Sequence, residues 1–248
     1  MYDLTQLTLQ DVTAIGAYLR KLNKDTDSLE QVSQLCVQYL YEHFIDPETD
    51  EPACALARLF KTCAYEDLPT ALQRQADKAI SQQDASLTSS VKCLTLLGTT
   101  GTREEWCDRT ASQGHQAIPL ASERAVSQIP MISQLIQSFG LDISSVLTPD
   151  PDLLMALERK TCNVFYIPEA AKSEYIPAQE SFVVPYGIRS VVGFGGMLSS
   201  GDLFAVILFS KASIPPETAC LLKTLPLNIK MAMVPFLNKD VCCTLQSV

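Results

Sequence analysis

Apolar residues recur every three or four positions at both ends of the chain, and this spacing predicts helices that each carry one apolar face. Residues 9–22 carry such a stripe, and Ser28 opens a capping box that predicts a second helix, running to the loop at 46–52. The proline pair at 215–216 predicts the start of a third helix, because proline is tolerated in a first turn, and its apolar positions continue to Phe236.

Strand-like segments occupy the stretches between these helices. They are residues 53–62 (with Leu56, Arg58 and Phe60 on one face), 91–97, 163–168, 187–198 and 202–210. The last two are joined by a tight turn that contains Gly201, and the second of them is apolar almost throughout, as is typical of a central strand. This order predicts an α+β fold with an antiparallel sheet.

The middle of the chain is irregular, and we interpret it as an insert. An amphipathic helix is predicted over 122–139, where Pro130 should kink or divide it, and a shorter helical piece over 153–157. A polar linker is predicted over 81–90. The expected organisation is a helical segment, a main domain and a flexible tail, at 1–50, 51–237 and 238–248.

Composition excludes some classes of function. The 248 residues carry a net charge of −9, which argues against binding to nucleic acid or to an anionic membrane surface. The first residues lack the pattern of a signal peptide, and the longest apolar run, 203–209, is far shorter than the roughly 18–20 residues of a membrane span. The sequence therefore predicts a cytoplasmic protein whose nine cysteines are reduced thiols.

No catalytic or metal-binding signature appears. The two histidines, His43 and His115, lie far apart in sequence and lack partners at metal-ligand spacing, so we predict no metal site and no catalytic residue, and leave the cofactor open. Gly193, Gly195 and Gly196 do not complete a phosphate-binding loop and favour a strand closely approached by another backbone or ring.

Aromatic faces and hydrogen-bond donors nevertheless cluster in and around the insert, as small-molecule sites require. The predicted ligand-binding residues are Arg58, Trp106, Arg109, His115, Tyr166, Tyr175, Tyr186 and Arg189. Arg58 and Arg189 lie in strand-like segments and could meet a carboxylate bidentately. The alternative is a packed core in which the arginines pair with some of the 28 acidic residues.

The hairpin at 187–210 and the helix after it resemble the closing elements of GAF-type sensory domains. Longer strings resemble the N-terminal input region of bacterial, notably cyanobacterial, signalling proteins such as sensor histidine kinases; they are KCLTLLG at 92–98, GHQAIPL at 114–120, PMISQLI at 130–136, NVFYIPEA at 163–170 and FVVPYGIRS at 182–190. The resemblance implies a GAF-like central antiparallel sheet with N- and C-terminal helices packed on one face and an irregular helical insert over the other.

The resemblance also implies a function. It points to a non-catalytic sensory module of a two-component type of signal transduction system, which binds a small molecule, forms a homodimer through its terminal helices and passes the signal to an output domain or partner protein. Two alternatives stay open. One is a small-molecule enzyme with its site in the 100–190 insert, using Cys107 or His115, in which His115 and Arg109 should line one cavity. The other is a dimerising scaffold without a ligand.

Overall fold

The computed structural model describes residues 1–80, 88–112, 114–150 and 163–237. Two short strands pair in parallel near the amino terminus, β1 (Tyr2–Asp3) and β2 (Phe44–Ile45). The central sheet contains β3 (Cys54–Ala64), β4 (Lys92–Gly101), β5 (Ala117–Pro119), β6 (Phe165–Ile167), β7 (Ser190–Met197) and β8 (Leu203–Ser210). Its order is β5-β4-β3-β8-β7-β6, and every neighbouring pair is antiparallel. The predicted α+β fold is confirmed, with the β7–β8 hairpin inside the sheet.

The helices of the described ranges are α1 (Leu9–Leu19), α2 (Leu29–His43), α3 (Thr70–Ile80), α4 (Glu123–Ser127), α5 (Pro130–Ser138), α6 (Ile143–Leu147), α7 (Pro216–Leu221) and α8 (Leu225–Met233). The predicted helix at 122–139 is divided into α4 and α5, and Pro130 begins the second part, where its missing N–H costs nothing. Each of these helices falls short of the length and apolar character needed to span a bilayer.

Helices from both ends of the chain cover one face of the sheet, as predicted. Apolar residues of α1, α2, α7 and α8 form a single buried core with Leu59, Phe194 and Val206 of the strands. Thr8 and Asp11 form the capping box of α1. At α2, the Ser28 hydroxyl accepts from the Gln31 backbone as predicted, but the Gln31 side chain accepts from the backbone of Asp27.

The insert covers the opposite face. Residues of α4, α5 and α6 form a second buried core with Phe60, Leu96 and Ile207, and the segment 175–188, which includes a π-helical turn at Gln179–Val183, closes one end of it. The sheet is thus apolar on both sides, which explains why β8 reads as an uninterrupted apolar run.

A bulge in β4 sets which of its side chains reach the insert. Leu59 of β3 pairs with Gly98, and Phe60 pairs with Leu96, so Leu97 is an extra residue on β4. Leu97 lies in the core beneath the helices, and a Cβ on Gly98 would come within 2.6 Å of a backbone oxygen of α2. Two consecutive residues therefore face the helices, and the alternation resumes one residue later.

Some predictions lie outside what the structure tests. The helical piece at 153–157, the tail at 238–248 and most of the polar linker at 81–90 fall outside the described residues. The domain boundary at residue 50 stays a prediction; α1 and α2 share one core with the sheet.

Candidate functional site

The alternation of β3 places Arg58 on the insert face. Its neighbours Leu56 and Phe60 belong to the core under the insert, whereas Ala57 and Leu59 belong to the core under the helices. The grouping of Leu56, Arg58 and Phe60 on one face follows the period of two that the sequence shows. Across the strand pair, Arg58 lies opposite Thr99 of β4.

The guanidinium of Arg58 is buried without a carboxylate partner among the described residues. Only 9% of Arg58 is exposed. Its Nη2 donates to the Ser112 hydroxyl at 2.8 Å, and its Nε finds no hydrogen-bond partner in the described part of the chain. Burial lowers the pKa of Arg58 to about 10, which still leaves it charged at neutral pH. A buried charge without a counter-charge is costly, so it needs an explanation.

His115 lies within electrostatic range of Arg58, and its side chain is exposed to solvent. Its backbone is in the left-handed region (φ 56°), directly after Gly114 (φ 74°), and this turn directs the chain into β5. The side chain is solvent-exposed, yet burial by surrounding protein, and then the positive charge of Arg58, lower the pKa of His115 below its usual 6.5. The imidazole is therefore neutral at pH 7.

The loop that carries His115 is held by polar contacts that the sequence did not reveal. The buried amide of Gln116 donates to the backbone oxygen of Ser112 and accepts from Gln75 of α3. Ser112 is thereby fixed where it accepts from Arg58. Thr99 donates from its hydroxyl to the backbone oxygen of Trp106 at 2.9 Å, which ties the first part of the same loop to β4.

An aromatic cluster lies next to this polar group. The Trp106 ring contacts Tyr186 (centroids 4.5 Å apart) and Phe182 (5.6 Å), and Phe182 in turn meets Phe209 of β8 edge to face. Arg103 donates to the Tyr186 hydroxyl at 2.8 Å. A Cβ on Gly101 would come within 2.9 Å of the Trp106 ring, so the indole lies over the end of β4.

The structure brings together only part of the predicted cluster. The charge of Arg58 reaches His115, the rings of Trp106 and Tyr186 are in contact, and Tyr175 packs against the core on the same face. The other predicted residues, Arg109, Tyr166 and Arg189, make different contacts.

Arg109 forms an ion pair with Glu30 at the start of α2, so its charge is already balanced, and the cavity shared with His115 stays a prediction. Tyr166 points to the helical face, because its strand neighbours Phe165 and Ile167 take the insert face, and its hydroxyl donates to the backbone of Ile214. Arg189 is solvent-exposed on the segment before β7.

Cys107 and His43, the remaining candidates for nucleophilic or metal chemistry, make contacts within the protein. The exposed thiol of Cys107 donates to the backbone oxygen of Gly101 at 3.3 Å. His43 approaches the backbone oxygen of Tyr39 at 2.9 Å through Nδ1 and stacks on that ring. Within the described ranges, no three His, Cys, Asp or Glu side chains come together as a metal site would need.

The structure also contains a buried ionic cluster on the helical side of β3 that the sequence did not reveal. Lys61, 1% exposed, forms an ion pair with Asp202 at 2.7 Å, and Lys92 of β4 pairs with the same carboxylate. Burial alone would raise the pKa of Asp202, but the two lysines outweigh it, and the pKa lies below its usual 3.8. Asp202 therefore ties the β7–β8 turn to β3 and β4.

Comparison with known proteins finds similarity among solved structures alone. No protein-family model matches the chain, and no curated protein matches it. Among solved structures, it is similar to free methionine-R-sulfoxide reductase from Neisseria meningitidis, a structure in complex with its substrate, with 10% identity, a TM-score of 0.48 and coverage of 94% of this chain and 95% of that one.

That neighbour is an enzyme, which contradicts the predicted non-catalytic sensory role, and the prediction is withdrawn. The sheet order, the helices on one face and the insert on the other constitute an α+β fold around a six-stranded antiparallel sheet.

Proposed function

We propose that this chain is a small-molecule enzyme whose site lies on the insert face of the sheet, where Arg58 binds an anionic group and His115 transfers a proton. The observation that supports this most directly is a buried guanidinium that has no acidic partner in the described ranges and whose charge reaches a solvent-exposed imidazole. The first holds a ligand, and the second is placed to react with it.

The electrostatics of the pair suit a base that acts on a bound substrate. Arg58 helps to keep His115 unprotonated at neutral pH, which is the form that accepts a proton. An anion bound to Arg58 would offset that positive charge and raise the pKa of His115. Substrate binding would therefore increase the basicity of the imidazole at the moment when it is needed.

A substrate screen tests this proposal. The purified protein is incubated with a panel of polar small molecules, and mass spectrometry follows the loss of each one. We expect the wild type and the matched control His43→Gln to convert at least one compound, and His115→Gln to lose the conversion while keeping the circular dichroism spectrum of the fold. Absence of turnover by the wild type, or equal turnover by His115→Gln, would contradict the proposal.

A second candidate function is a homodimeric scaffold. Leu227, Met231 and Val234 are exposed at positions i, i+4 and i+7 along the last helical segment, and they form an apolar stripe on its outer side. Light scattering discriminates this candidate: a dimer in the wild type that becomes a monomer in Met231→Lys supports it, and a monomeric wild type rules it out.

A further inference from the structure

Among the described residues, the insert-face site contains one positive charge that lacks an acidic partner, that of Arg58. Arg58 and Lys61 are both buried cations of β3, but they are treated differently. Lys61 has the carboxylate of Asp202 at 2.7 Å, whereas Arg58 has the neutral hydroxyl of Ser112. The Nε of Arg58 is buried and unpartnered within the described residues, so the guanidinium retains hydrogen-bonding capacity as well as charge.

The net charge of the protein groups at the site indicates the charge that a bound ligand should carry. Arg58 is the charged group whose field reaches His115, and His115 itself is neutral at pH 7. The side chains that fix the loop, Ser112, Gln116 and Thr99, are uncharged. The site therefore offers one positive charge, which a carboxylate balances and which a phosphate dianion would exceed.

The shape of the guanidinium agrees with this. A planar guanidinium matches the two oxygens of a carboxylate in a fork-to-fork pair. Ser112 accepts from Nη2 and is itself held by Gln116, so the fork is fixed before a ligand arrives. Such fixed geometry reduces the entropy lost on binding.

The aromatic cluster sets what the rest of the ligand should be. Trp106 lies over Gly101, and Gly101 pairs with Leu56, two residues along β3 from Arg58. Two residues of a strand span about 7 Å. A molecule whose carboxylate is at Arg58 would thus extend its other end to the indole, which favours an apolar or aromatic group.

We propose that the substrate is a small monocarboxylate with an apolar or aromatic group, and that Arg58 with Ser112 binds its carboxylate beside Trp106. This rests on the proposed function for the choice of site, and it adds the chemical class of the substrate. Binding of such a molecule requires no turnover, so the two proposals are tested separately.

The experiment uses benzoate, benzamide and inorganic phosphate as probes, with binding measured by calorimetry and by the shift in melting temperature. We expect benzoate to bind saturably, and benzamide and phosphate to bind at least about tenfold more weakly, because neither supplies a planar monoanion. Arg58→Gln should weaken benzoate binding about thirtyfold or more. The matched control Arg109→Gln removes an arginine of the same loop that is paired with Glu30, and it should bind benzoate within about threefold of wild type.

The outcomes separate this inference from the proposed function. Equal binding of benzoate and benzamide, or undiminished binding by Arg58→Gln, overturns the carboxylate site. If that result occurs while His115 still supports turnover of another compound, the proposed function stands and this inference fails. If benzoate binds through Arg58 and His115→Gln leaves that binding unchanged, the site stands whether or not any compound is converted.

Discussion

Arg58 and Lys61 offer a direct test of the idea that one buried cation of β3 is structural and the other is reserved for a ligand. We consider the substitutions Lys61→Met and Arg58→Met, each of which replaces a buried cation with an unbranched apolar chain. Lys61→Met leaves Asp202 buried with only Lys92 as a cationic partner. Removing one member of a buried ion pair costs about 3–5 kcal/mol, and because Lys92 remains, we expect about 3 kcal/mol.

For Arg58→Met, the stabilising and destabilising contributions to the free energy of unfolding are nearly equal. The variant loses a charged hydrogen bond to Ser112, worth about 1.5–3 kcal/mol, but it also removes an unpaired buried donor that costs about 1–3 kcal/mol. The free energy of unfolding should therefore stay within about 1 kcal/mol of the wild type. Burial alone does not predict this difference, since both side chains are at least nine-tenths buried.

Urea unfolding measures both variants. Trp106 is the single tryptophan, and its contact with Tyr186 makes its fluorescence sensitive to loss of the insert-face packing. Circular dichroism should give the same midpoints if unfolding is two-state, and an unchanged m-value shows that the unfolded ensemble is comparable. The reasoning fails if Arg58→Met is destabilised by about 3 kcal/mol, as much as Lys61→Met, because Arg58 would then be a structural residue.

Three further predictions concern His115, the glycines of β7 and Asp202. Proton NMR of His115 should give a pKa below 6.5, and Arg58→Met should raise it only part of the way to 6.5, because burial is the larger cause; a fall in that pKa would contradict the assignment. Gly195→Ala should unfold the protein or destabilise it severely, since the new Cβ would lie 2.1 Å from a backbone oxygen of β8, whereas Gly193→Ala meets only side-chain atoms at 3.2 Å or more and should cost much less; equal melting temperatures would refute this. The pKa of Asp202 is lowered in the folded state, so its contribution to stability is present above about pH 4 and is lost as the pH falls through the folded pKa; Asp202→Asn should remove that acid-dependent part of the stability curve measured by urea unfolding.

The sequence predicted the layers of the fold well because periodicity records which side of an element is buried. The spacing of two at Leu56, Arg58 and Phe60 placed three side chains on one face, and the structure agrees. Pro130 marked the division of a helix, because the missing N–H of a proline is a local property of the chain. Local rules of this kind act over a few residues and are visible without a structure.

The candidate site was harder to predict because it depends on long-range pairing. Glu30, which holds Arg109, is 79 residues away in sequence, and Asp202 is 141 residues from Lys61. Tyr166 belongs to the predicted cluster as an aromatic residue close to the insert in sequence, but which face of its strand meets the insert follows from the register with β7. Periodicity identifies two faces and leaves open which one carries the chemistry.

The extra residue in β4 determines which of the following residues face the insert and which face the helices. Downstream of Leu97, Thr99 lies opposite Arg58, and Gly101 lies beneath Trp106. If β4 instead ran through Leu97 in regular alternation, without the bulge, a side-chain period of two would turn both positions over to the helices and bring Thr100 to the insert face. The loop carrying Trp106 and His115 would then leave β4 on the other face of the sheet, so the bulge at Leu97 determines whether the guanidinium and the imidazole share one face.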